Sequence, residues 1–164
     1  LQQVGTLSKA AVVEEAPEDG ILREAENYDD NRGSNFQINP GSHFDTSGGS
    51  CIYSFKGDGT WIEWDFEVPE AGRYDLYARI TLGNPQSFRR IELSGQTRPD
   101  LSIVEIPGTG GWGHAPGEWQ VMRLAGTDHI PALQLEKGTV SIRMVGILES
   151  DMNIDWIMIA PHDE

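Results

Sequence analysis

Two successive segments of this chain alternate apolar and polar side chains strictly, and this pattern restricts the fold more than any other feature. In residues 60–68 every second side chain is apolar, which is the period of a β-strand. A turn at Pro69-Glu70-Ala71-Gly72 follows, and residues 73–82 repeat the alternation. The side chains expected to face inward are Ile62, Trp64, Phe66 and Val68 in the first segment and Tyr74, Leu76, Ala78, Ile80 and Leu82 in the second. Two such strands joined by a short turn predict an antiparallel sheet that covers a core.

The chain from Ile21 onward continues as short apolar segments separated by turn residues, with almost no helical period. One of the turns, Glu136-Lys137-Gly138-Thr139, has the composition of a hairpin. Further strands are predicted over residues 90–93, 101–106, 119–124, 132–136, 139–145 and 153–159. Many short strands at this spacing predict an all-β fold, an antiparallel β-sandwich.

The first 19 residues differ in composition from the rest. Ala16-Pro17-Glu18-Asp19-Gly20 has the chemistry of a turn or linker, and the acidic residues around it favour solvation. We therefore predict a linker or tail over residues 1–19, a β-sandwich module over residues 20–161 and a C-terminal tail over residues 162–164. For the N-terminal segment, the alternative is a short added strand at Val12 and Val13.

The net charge of -14 argues against nucleic acid as a partner, because phosphates require a basic surface. No apolar run is long enough to cross a membrane. Cys51 is the only cysteine, so an intrachain disulfide is excluded, and its apolar surroundings predict a small buried side chain. Because Leu1 is not an initiator methionine, we expect the chain to be part of a longer protein.

Residues 104–112 carry an apolar alternation into the loop Pro107-Gly108-Thr109-Gly110-Gly111, which ends on Trp112. The glycines free the backbone and remove side chains from around the ring. An exposed aromatic ring promotes association unless it has a partner. The loop therefore predicts a flat aromatic platform, and one use for such a platform is a sugar ring.

Three acidic residues near the two ends of the predicted module suggest a metal site. Glu24 and Glu26 are two positions apart, so on an early strand their side chains share one side. Asp155 lies within an apolar strand, where an unpaired carboxylate is costly to bury. If the three converge, a cation must join them, and calcium accepts several oxygen ligands, including carbonyls of the glycine-rich loop 42–50. The alternative is a solvated strand face at Glu24 and Glu26 and a turn cap at Asp155.

Five short motifs occur in an order that resembles one protein family. They are Glu24-Ala25-Glu26-Asn27-Tyr28, Trp61-Ile62-Glu63-Trp64, Gly72-Arg73-Tyr74-Asp75-Leu76-Tyr77-Ala78-Arg79, Thr109-Gly110-Gly111-Trp112 and Asn153-Ile154-Asp155. Each motif alone is weakly specific, but together they resemble a family 6 carbohydrate-binding module, to which family 35 is related. The resemblance covers residues 21–160. It implies a jelly-roll sandwich and a structural calcium held by Glu24, Glu26, Asp155 and loop carbonyls.

The resemblance also implies a ligand site in the loops at one end of the sandwich. There Trp112 and a second aromatic ring enclose a sugar, and Asn153 bonds its hydroxyl groups. This suits sugar chemistry, because a sugar C–H face packs on an aromatic ring and an amide both donates and accepts hydrogen bonds. The second ring is Tyr53 or Phe55, and we choose Tyr53 because its hydroxyl suits a polar ligand, although a core position also fits it. His114 flanks the platform and is included in the site.

Two other features have competing interpretations. Trp119 flanks the platform, yet it begins a strand and fits a core position. A polar surface on the outward faces of neighbouring strands is either a second ligand site or a mixed-charge face with its own ion pairs. Its residues are Trp61, Glu63, Asp65, Tyr77, Arg79, Arg90 and Glu92.

The sequence offers little support for catalysis. The carboxyl groups of Glu63 and Asp65 are expected about 6–7 Å apart along one strand, which approaches the separation used by glycosidases. The pair lies among solvated charges, however, with no sign of a pocket that raises the pKa of an acid. The histidines lack zinc-site spacing, and the serines and Cys51 lack the context of an activated nucleophile. No catalytic residue is predicted.

We therefore predict a non-catalytic module that binds a polysaccharide or oligosaccharide and targets an appended, secreted glycan-active enzyme. The expected partners are the glycan and a covalently linked catalytic module, with no nucleic acid and no membrane. The module is expected to be monomeric and to work outside a bacterial cell. The alternatives are a calcium-stabilised lectin-like or adhesion domain that recognises a protein or cell surface, and a small β-sandwich glycan hydrolase or lyase.

Overall fold

The computed structural model describes residues 7–33, 37–40 and 45–163. Within these ranges the only helices are 3-10 turns of three residues each, Ala25–Asn27, Ser47–Gly49 and Pro99–Leu101, and none of the described helices is long and apolar enough to span a membrane. The strands are β1 Leu7–Lys9, β2 Ala11–Val13, β3 Ile21–Glu24, β4 Asp30–Arg32, β5 Gln37–Pro40, β6 Ser50–Tyr53, β7 Trp61–Val68, β8 Gly72–Thr81, β9 Gln86–Leu93, β10 Ile103–Pro107, β11 Gln120–Ala125, β12 Leu133–Leu135, β13 Gly138–Ile147 and β14 Asn153–Pro161.

The strands form two sheets. The first sheet has the order β1-β10-β9-β13-β7-β4, and the second has the order β2-β11-β8-β14-β6-β5. Off this path, β12 pairs with β8 and β3 pairs with β14. Among the described strand pairs, only β1 with β10 is parallel. This architecture confirms the predicted all-β, antiparallel jelly-roll sandwich.

Strands that occupy the same position in the two orders are consecutive in the chain. This relation determines where the loops between the sheets lie. Four loops each join one sheet to the other at the same position in the strand order. Because neighbouring strands lie about 4.8 Å apart, the four loops form a row across one end of the sandwich, which we call the loop end. In the order of the row they are residues 108–119 (β10 to β11), 82–85 (β8 to β9), 148–152 (β13 to β14) and 54–60 (β6 to β7).

The alternation predicted for β7 and β8 generates the core. Their inward side chains are buried and pack with apolar residues of both sheets in one cluster. Burial of apolar area contributes about 25 cal/mol per Å², so this cluster is the main source of stability. Its β7 and β8 members are Ile62, Trp64, Phe66, Val68, Tyr74, Leu76, Ala78 and Ile80, and Leu82 joins them from the adjoining loop.

The outer face of β8 differs from the prediction. Alternation predicts that Asp75 and Tyr77 point to solvent, but both are buried, at 5% and 3% exposure. The reason is a second apolar cluster on this face, which we call the outer cluster. It comprises Tyr77, Trp156, Met158 and Ala160, with Val13, Ala16 and Val121 packed against it.

The N-terminal segment therefore belongs to the sandwich from Leu7 onward, rather than forming a linker over all of residues 1–19. The described part adds β1 to the first sheet and β2 to the second, as the alternative of a short added strand anticipates. Gly20 passes so close to Met158 that a Cβ at this position would overlap its sulfur. At the other terminus, His162 is also fixed, because its Nδ1 lies 2.6 Å from Asp75 Oδ1.

Candidate functional site

Trp112 lies at the loop end and is half-buried, with part of its ring packed on the main core. Its indole nitrogen sits against Gly83 in the neighbouring loop, where a Cβ would overlap the ring. The buried Thr109 anchors the loop, since its hydroxyl accepts a hydrogen bond from Leu82 N (3.0 Å). Thr81 Oγ1 donates to Gly111 O at 2.6 Å. The ring that sequence analysis treats as exposed is thus held in one orientation by the adjacent loop.

Glu118 organises the turn that follows Trp112. One carboxylate oxygen, Oε1, accepts hydrogen bonds from the backbone N–H groups of Gly113 (3.0 Å), His114 (2.9 Å) and Ala115 (3.2 Å). These backbone donors, the one at His114 first, lower the pKa of Glu118. A carboxylate in such a concave arrangement of N–H groups fixes the loop conformation. The sequence motif around Trp112 gives no hint of this role, because Glu118 lies beyond it.

The residues that flank Trp112 differ in exposure. His114, two residues after Trp112 in the chain, is exposed. Trp119 is buried at 7% exposure, and a Cβ at Gly113 would overlap its indole. Gly113 has φ +91°, a conformation that L side chains avoid. Trp119 therefore supports the loop from the core side, as the core interpretation expects.

Asn153 joins two loops through its amide group. Its Oδ1 accepts a hydrogen bond from Ser54 N (2.9 Å), and its Nδ2 donates to the carbonyl of Trp112 (2.9 Å). The side chain is only 3% exposed. The structure thus brings Asn153 and Trp112 together, as predicted, but the amide's principal contacts are to the backbone that carries the platform. One N–H and one lone pair remain beyond these two bonds.

Tyr53 and Phe55 were the two candidates for the second ring, and they occupy different environments. Phe55 is fully buried in the core, with the Arg89 guanidinium 4.4 Å from its ring centroid. Tyr53 ends β6 and is half-buried next to Ser54, the residue that Asn153 binds. Of the two rings, Tyr53 is therefore the one with surface to offer a ligand at the loop end.

Arg89 is a further residue of the loop end that the sequence analysis missed. The side chain is fully buried, and its guanidinium donates to Phe55 O (2.6 Å), Ser150 O (3.2 Å) and Phe88 O (2.6 Å). Burial lowers the pKa of Arg89 to about 9. The alternation of β9 could have indicated that Arg89 is buried, because Arg89 shares the inward face of that strand with Ser87 and Ile91.

The predicted calcium ligands lie on the second sheet. Glu24 is the last residue of β3 and Glu26 lies in the 3-10 turn that follows, so the prediction that they share one side of a strand is wrong. Asp155 is the extra residue of a β-bulge, where the pairing with β8 shifts between Ile154 and Trp156. Bulges re-aim side chains, and this one lets both Ile154 and Ile157 face the core.

Two of the three carboxylates, those of Glu24 and Asp155, are linked through the glycine-rich loop, of which residues 42–44 lie outside the described residues. Ser47 Oγ donates to Glu24 Oε2 (2.6 Å) and Ser47 N donates to Asp155 Oδ1 (2.9 Å). Arg79 Nη1 donates to Asp155 Oδ2 at 2.6 Å. In the described chain, Glu24 Oε1 and Glu26 Oε1 are buried without a hydrogen-bond partner.

The electrostatics at this cluster are unfavourable for three negative charges. Burial, the charge of Glu24 and the charge of Asp155 raise the pKa of Glu26 to about 7. Burial also raises the pKa of Asp155, despite its bond to Arg79. No group of three acidic, histidine or cysteine side chains in the described residues meets at metal-binding spacing. The unpartnered oxygens nevertheless fit an oxygen-loving cation, because a buried carboxylate oxygen requires a compensating charge or donor.

The polar surface predicted on neighbouring strands is divided between the two sheets. Tyr77 and Arg79 belong to β8 in the second sheet, whereas the other five residues lie on β7 and β9 in the first. In the first sheet, the Arg143 guanidinium stacks over Trp61 at 3.6 Å from the ring centroid and its Nε bonds Glu63 Oε1 at 3.0 Å. This arrangement agrees with the mixed-charge alternative.

Two aligned sheets with an anchored indole among the loops at one end define a β-sandwich ligand-binding module. A family-wide sequence comparison matches residues 24–161 to the carbohydrate binding module family 6. The chain therefore belongs to the family 6 carbohydrate-binding modules, a family of non-catalytic carbohydrate binders.

Solved structures share this fold. A family 35 carbohydrate binding module from Clostridium thermocellum has a TM-score of 0.68 at 20% identity, over 87% of this chain and 98% of that chain. A module of Cellvibrio mixtus lichenase 5A in complex with cellotriose has a TM-score of 0.66 at 20% identity, over 87% of this chain and 98% of that chain. A Podospora anserina GH26-CBM35 β-(1,4)-mannanase matches over 90% of this chain but 29% of its own, with a TM-score of 0.68 at 16% identity. These identities establish similarity of fold alone.

Proposed function

We propose that this module binds a polysaccharide or oligosaccharide at the loop end and holds an appended, secreted glycan-active enzyme near its substrate. The observation that carries the proposal is the fixed Trp112 ring, supported by Gly83 and by the Asn153 amide. A module without catalytic residues helps an attached enzyme by raising the effective concentration of substrate. In this proposal the module acts as a monomer outside a bacterial cell.

The geometry suits a sugar because the platform is pre-organised. The C–H face of the sugar packs on Trp112, and Tyr53 provides the second ring. The remaining N–H of Asn153 and the exposed His114 supply hydrogen bonds to hydroxyl groups. Because Asn153 and Glu118 already fix the loop backbone, little conformational entropy is lost when the ligand binds.

Affinity electrophoresis against a panel of polysaccharides tests this proposal. The panel contains β-1,4-glucan, β-1,3-glucan, β-mannan and xylan, and we expect at least one of them to retard the wild-type module. Trp112→Ala should abolish the retardation, since it removes the stacking surface. Trp61→Ala is the matched control, because it also removes a partly exposed tryptophan, whose ring lies on the outer face of the first sheet under the Arg143 guanidinium. Equal retardation of Trp112→Ala and wild type would contradict the proposed site.

We also propose that a structural calcium ion binds Glu24, Glu26 and Asp155, together with carbonyl oxygens of the glycine-rich loop. The ion would supply positive charge to the two unpartnered carboxylate oxygens. Ser47 and Arg79 already orient two of the carboxylates from the protein side. The ion would thereby connect β3, β14 and the loop that precedes β6.

Thermal unfolding tests the calcium proposal. Calcium at about 100 times its Kd stabilises the folded state by about 2.7 kcal/mol, so chelation should lower Tm by about 5–10 °C, and excess CaCl2 should restore it. Glu26→Gln sharpens the test, because a site with calcium and a site without calcium predict changes in Tm of opposite sign. With calcium bound, the substitution removes a ligand and lowers Tm, whereas without calcium it relieves repulsion and raises Tm. A higher Tm for Glu26→Gln in calcium buffer would contradict the proposal.

A further inference from the structure

Arg79 lies two residues before the end of β8 at the loop end, on the face of the strand that is turned away from the main core. Its Nη1 donates to Asp155 Oδ2 at 2.6 Å and to Asp45 O at 2.8 Å. On its other side, the guanidinium carbon lies 5.4 Å from the centroid of the Trp119 ring. One side chain therefore contacts both the carboxylate cluster and the base of the loop 108–119, which we call the Trp112 loop.

The pairing of β8 with its two neighbouring strands explains these contacts. Asp155 is the extra residue of the bulge in β14, and regular pairing resumes with Trp156 opposite Arg79. The bulge re-aims the Asp155 carboxylate toward the arginine. In β11, Val121 lies directly opposite Arg79. Trp119 comes two residues before Val121, so it is a diagonal neighbour of Arg79, at a separation that long and aromatic side chains bridge.

The acidic partners fix the position of the guanidinium. The Asp155 side chain is fully buried and that of Arg79 is 19% exposed, so their ion pair is shielded from water. Hydrogen bonds between charged groups are shorter and stronger than neutral ones. Asp45 adds the bond from its carbonyl, and its Oδ2 lies 3.6 Å from Nη2. The planar guanidinium is therefore held as a firm surface against the Trp119 ring.

Trp119 connects this surface to the platform. Its indole lies so close to Gly113 that a Cβ at this position would overlap the ring. Gly113 directly follows Trp112, and its N–H donates to Glu118 Oε1 (3.0 Å), in the residue before Trp119. Closely packed groups transmit small displacements. A shift of the Trp119 indole would therefore move the backbone that carries the Trp112 ring.

A second cation–aromatic stack on the same two strands offers an internal comparison. The Arg123 guanidinium carbon lies 5.4 Å from the centroid of the Tyr77 ring, the same separation as in the pair of Arg79 and Trp119. Arg123 Nη1 donates to Gly126 O (3.4 Å), in the loop that follows β11 at the opposite end of the sandwich. The two stacks are thus alike in geometry but differ in the loop that they support.

We propose that Arg79 is a positioning residue of the glycan platform, which acts through Trp119 to hold the Trp112 loop in its binding conformation. This inference rests on the proposed function. Arg79 does so without contact to the sugar, and Asp155 supplies the counter-charge that keeps the guanidinium in place. One carboxylate of the cluster thereby also serves the platform.

Affinity electrophoresis over a range of polysaccharide concentrations, combined with differential scanning calorimetry, tests this role. The probes are those members of the four-polysaccharide panel that retard the wild type. Arg79→Lys keeps a charge for Asp155 but lacks the planar group that stacks on Trp119. We expect its affinity to fall about threefold to fivefold while its Tm changes little. Arg79→Met removes the charge as well and should lower both the affinity and Tm.

Two controls separate positioning from a general loss of stability. Arg123→Lys makes the same change in the stack on Tyr77 and should bind with wild-type affinity. Trp119→Leu removes the ring through which Arg79 acts, so Arg79→Lys should have little further effect on affinity in that background. All measurements use one calcium concentration, because Asp155 is also a proposed calcium ligand.

Amide hydrogen exchange gives a readout that needs no glycan. Exchange over residues 108–119 should be faster in Arg79→Lys than in wild type and unchanged in Arg123→Lys, since a less well supported loop opens more often. Unchanged exchange in Arg79→Lys would overturn the positioning role.

The failure of this role and the failure of the proposed function give different results. Wild-type affinity in Arg79→Lys, an equal loss in Arg123→Lys, or full additivity of Arg79→Lys with Trp119→Leu overturns the role of Arg79 and leaves the platform intact. If wild type binds none of the four polysaccharides, the proposed function is overturned, and with it the role of Arg79 in glycan binding. Hydrogen exchange then still decides whether Arg79 holds the Trp112 loop.

Discussion

At the scale of single residues, the polar side chains of the loop end bond mainly to backbone groups. Glu118 accepts from three N–H groups, Asn153 bonds one loop on each side, and Arg89 donates to three carbonyls. Side-chain bonds of this kind fix irregular backbone that has no partner strand. The shape of the loop end therefore depends on side chains whose hydrogen bonds go mainly to the protein's own backbone.

The role of Glu118 can be tested by a change that keeps its shape. Glu118→Gln preserves one acceptor oxygen but removes the charge that strengthens its hydrogen bonds to the N–H groups of Gly113, His114 and Ala115. We expect the affinity for the retained glycan to fall several-fold while Tm changes little, because the substitution removes no side chain from the core. Glu136→Gln is the control, since Glu136 is exposed and distant from this loop. Unchanged affinity in Glu118→Gln would show that the loop keeps its conformation without the charge.

Sequence reasoning could identify some of these residues and not others. Trp112 and Asn153 were identified by their motifs, and the structure brings them together. Glu118 and Arg89 were not identified, because most of their hydrogen-bond partners are backbone groups, which carry no sequence signal, although alternation places Arg89 on the inward face of β9. The same reason explains why the sequence prediction assigns the Asn153 amide to a ligand. The amide binds the Ser54 N–H and the Trp112 carbonyl, and a sequence does not show such backbone partners.

At the scale of elements, β14 shows why the alternation of apolar and polar residues does not fully predict which side chains are buried. The strand is buried along both faces from Asn153 to Ala160, because the main core covers one face and the outer cluster covers much of the other. The bulge at Asp155 then shifts the alternation by one residue. Alternation correctly predicted β7 and β8, which each present one face to the main core. It could not predict that residues from the N-terminal segment cover the second face.

A matched pair of neighbouring substitutions tests the contribution of β2. Val13 packs on the outer cluster, whereas Val12 points to solvent at 51% exposure. Val13→Asp places a charge against Tyr77, Trp156 or Met158, so we expect a loss of about 2–3 kcal/mol. This corresponds to a decrease in Tm of roughly 4–12 °C. Val12→Asp introduces the same residue, with the same low strand propensity, at an exposed position of the same strand. It should therefore lower Tm by much less than Val13→Asp does.

Differential scanning calorimetry of the two variants provides the measurement. If residues 1–19 acted only as a linker, Val13→Asp and Val12→Asp would have the same small effect. Equal Tm values would therefore contradict the structural role assigned to β2.

At the scale of the whole molecule, both sheets close on one core, and Cys51 lies within that closed structure. The side chain is fully buried. Burial, followed by the nearby charges of Asp155 and Glu26, raises the pKa of its thiol to about 12. At pH 8 the folded protein therefore holds a protonated and inaccessible thiol, which is unreactive because the thiolate is the nucleophile.

Thiol labelling should consequently report global unfolding. We expect the native protein to react very slowly with Ellman's reagent at pH 8 and to release one equivalent of product per chain in 6 M guanidinium chloride. Unfolding restores the thiol pKa to about 8.5, so the labelling rate in intermediate denaturant should follow the unfolded fraction. Complete labelling of the native protein within minutes would show that the second sheet opens locally near Cys51.

The direction of the strands fixes where an attached domain would lie. β1 runs parallel to β10 toward the loop end, so the chain enters the sandwich at the opposite end. β14 starts at the loop end and runs away from it, so Pro161 also lies at the opposite end. A neighbouring domain joined at either terminus would therefore face away from the proposed glycan site, with the length of the sandwich between them. In mechanical terms such a module would be a spacer as well as an anchor. The connecting segment would have to fold back along the sandwich for an attached active site to reach a glycan held at the proposed site beside Trp112.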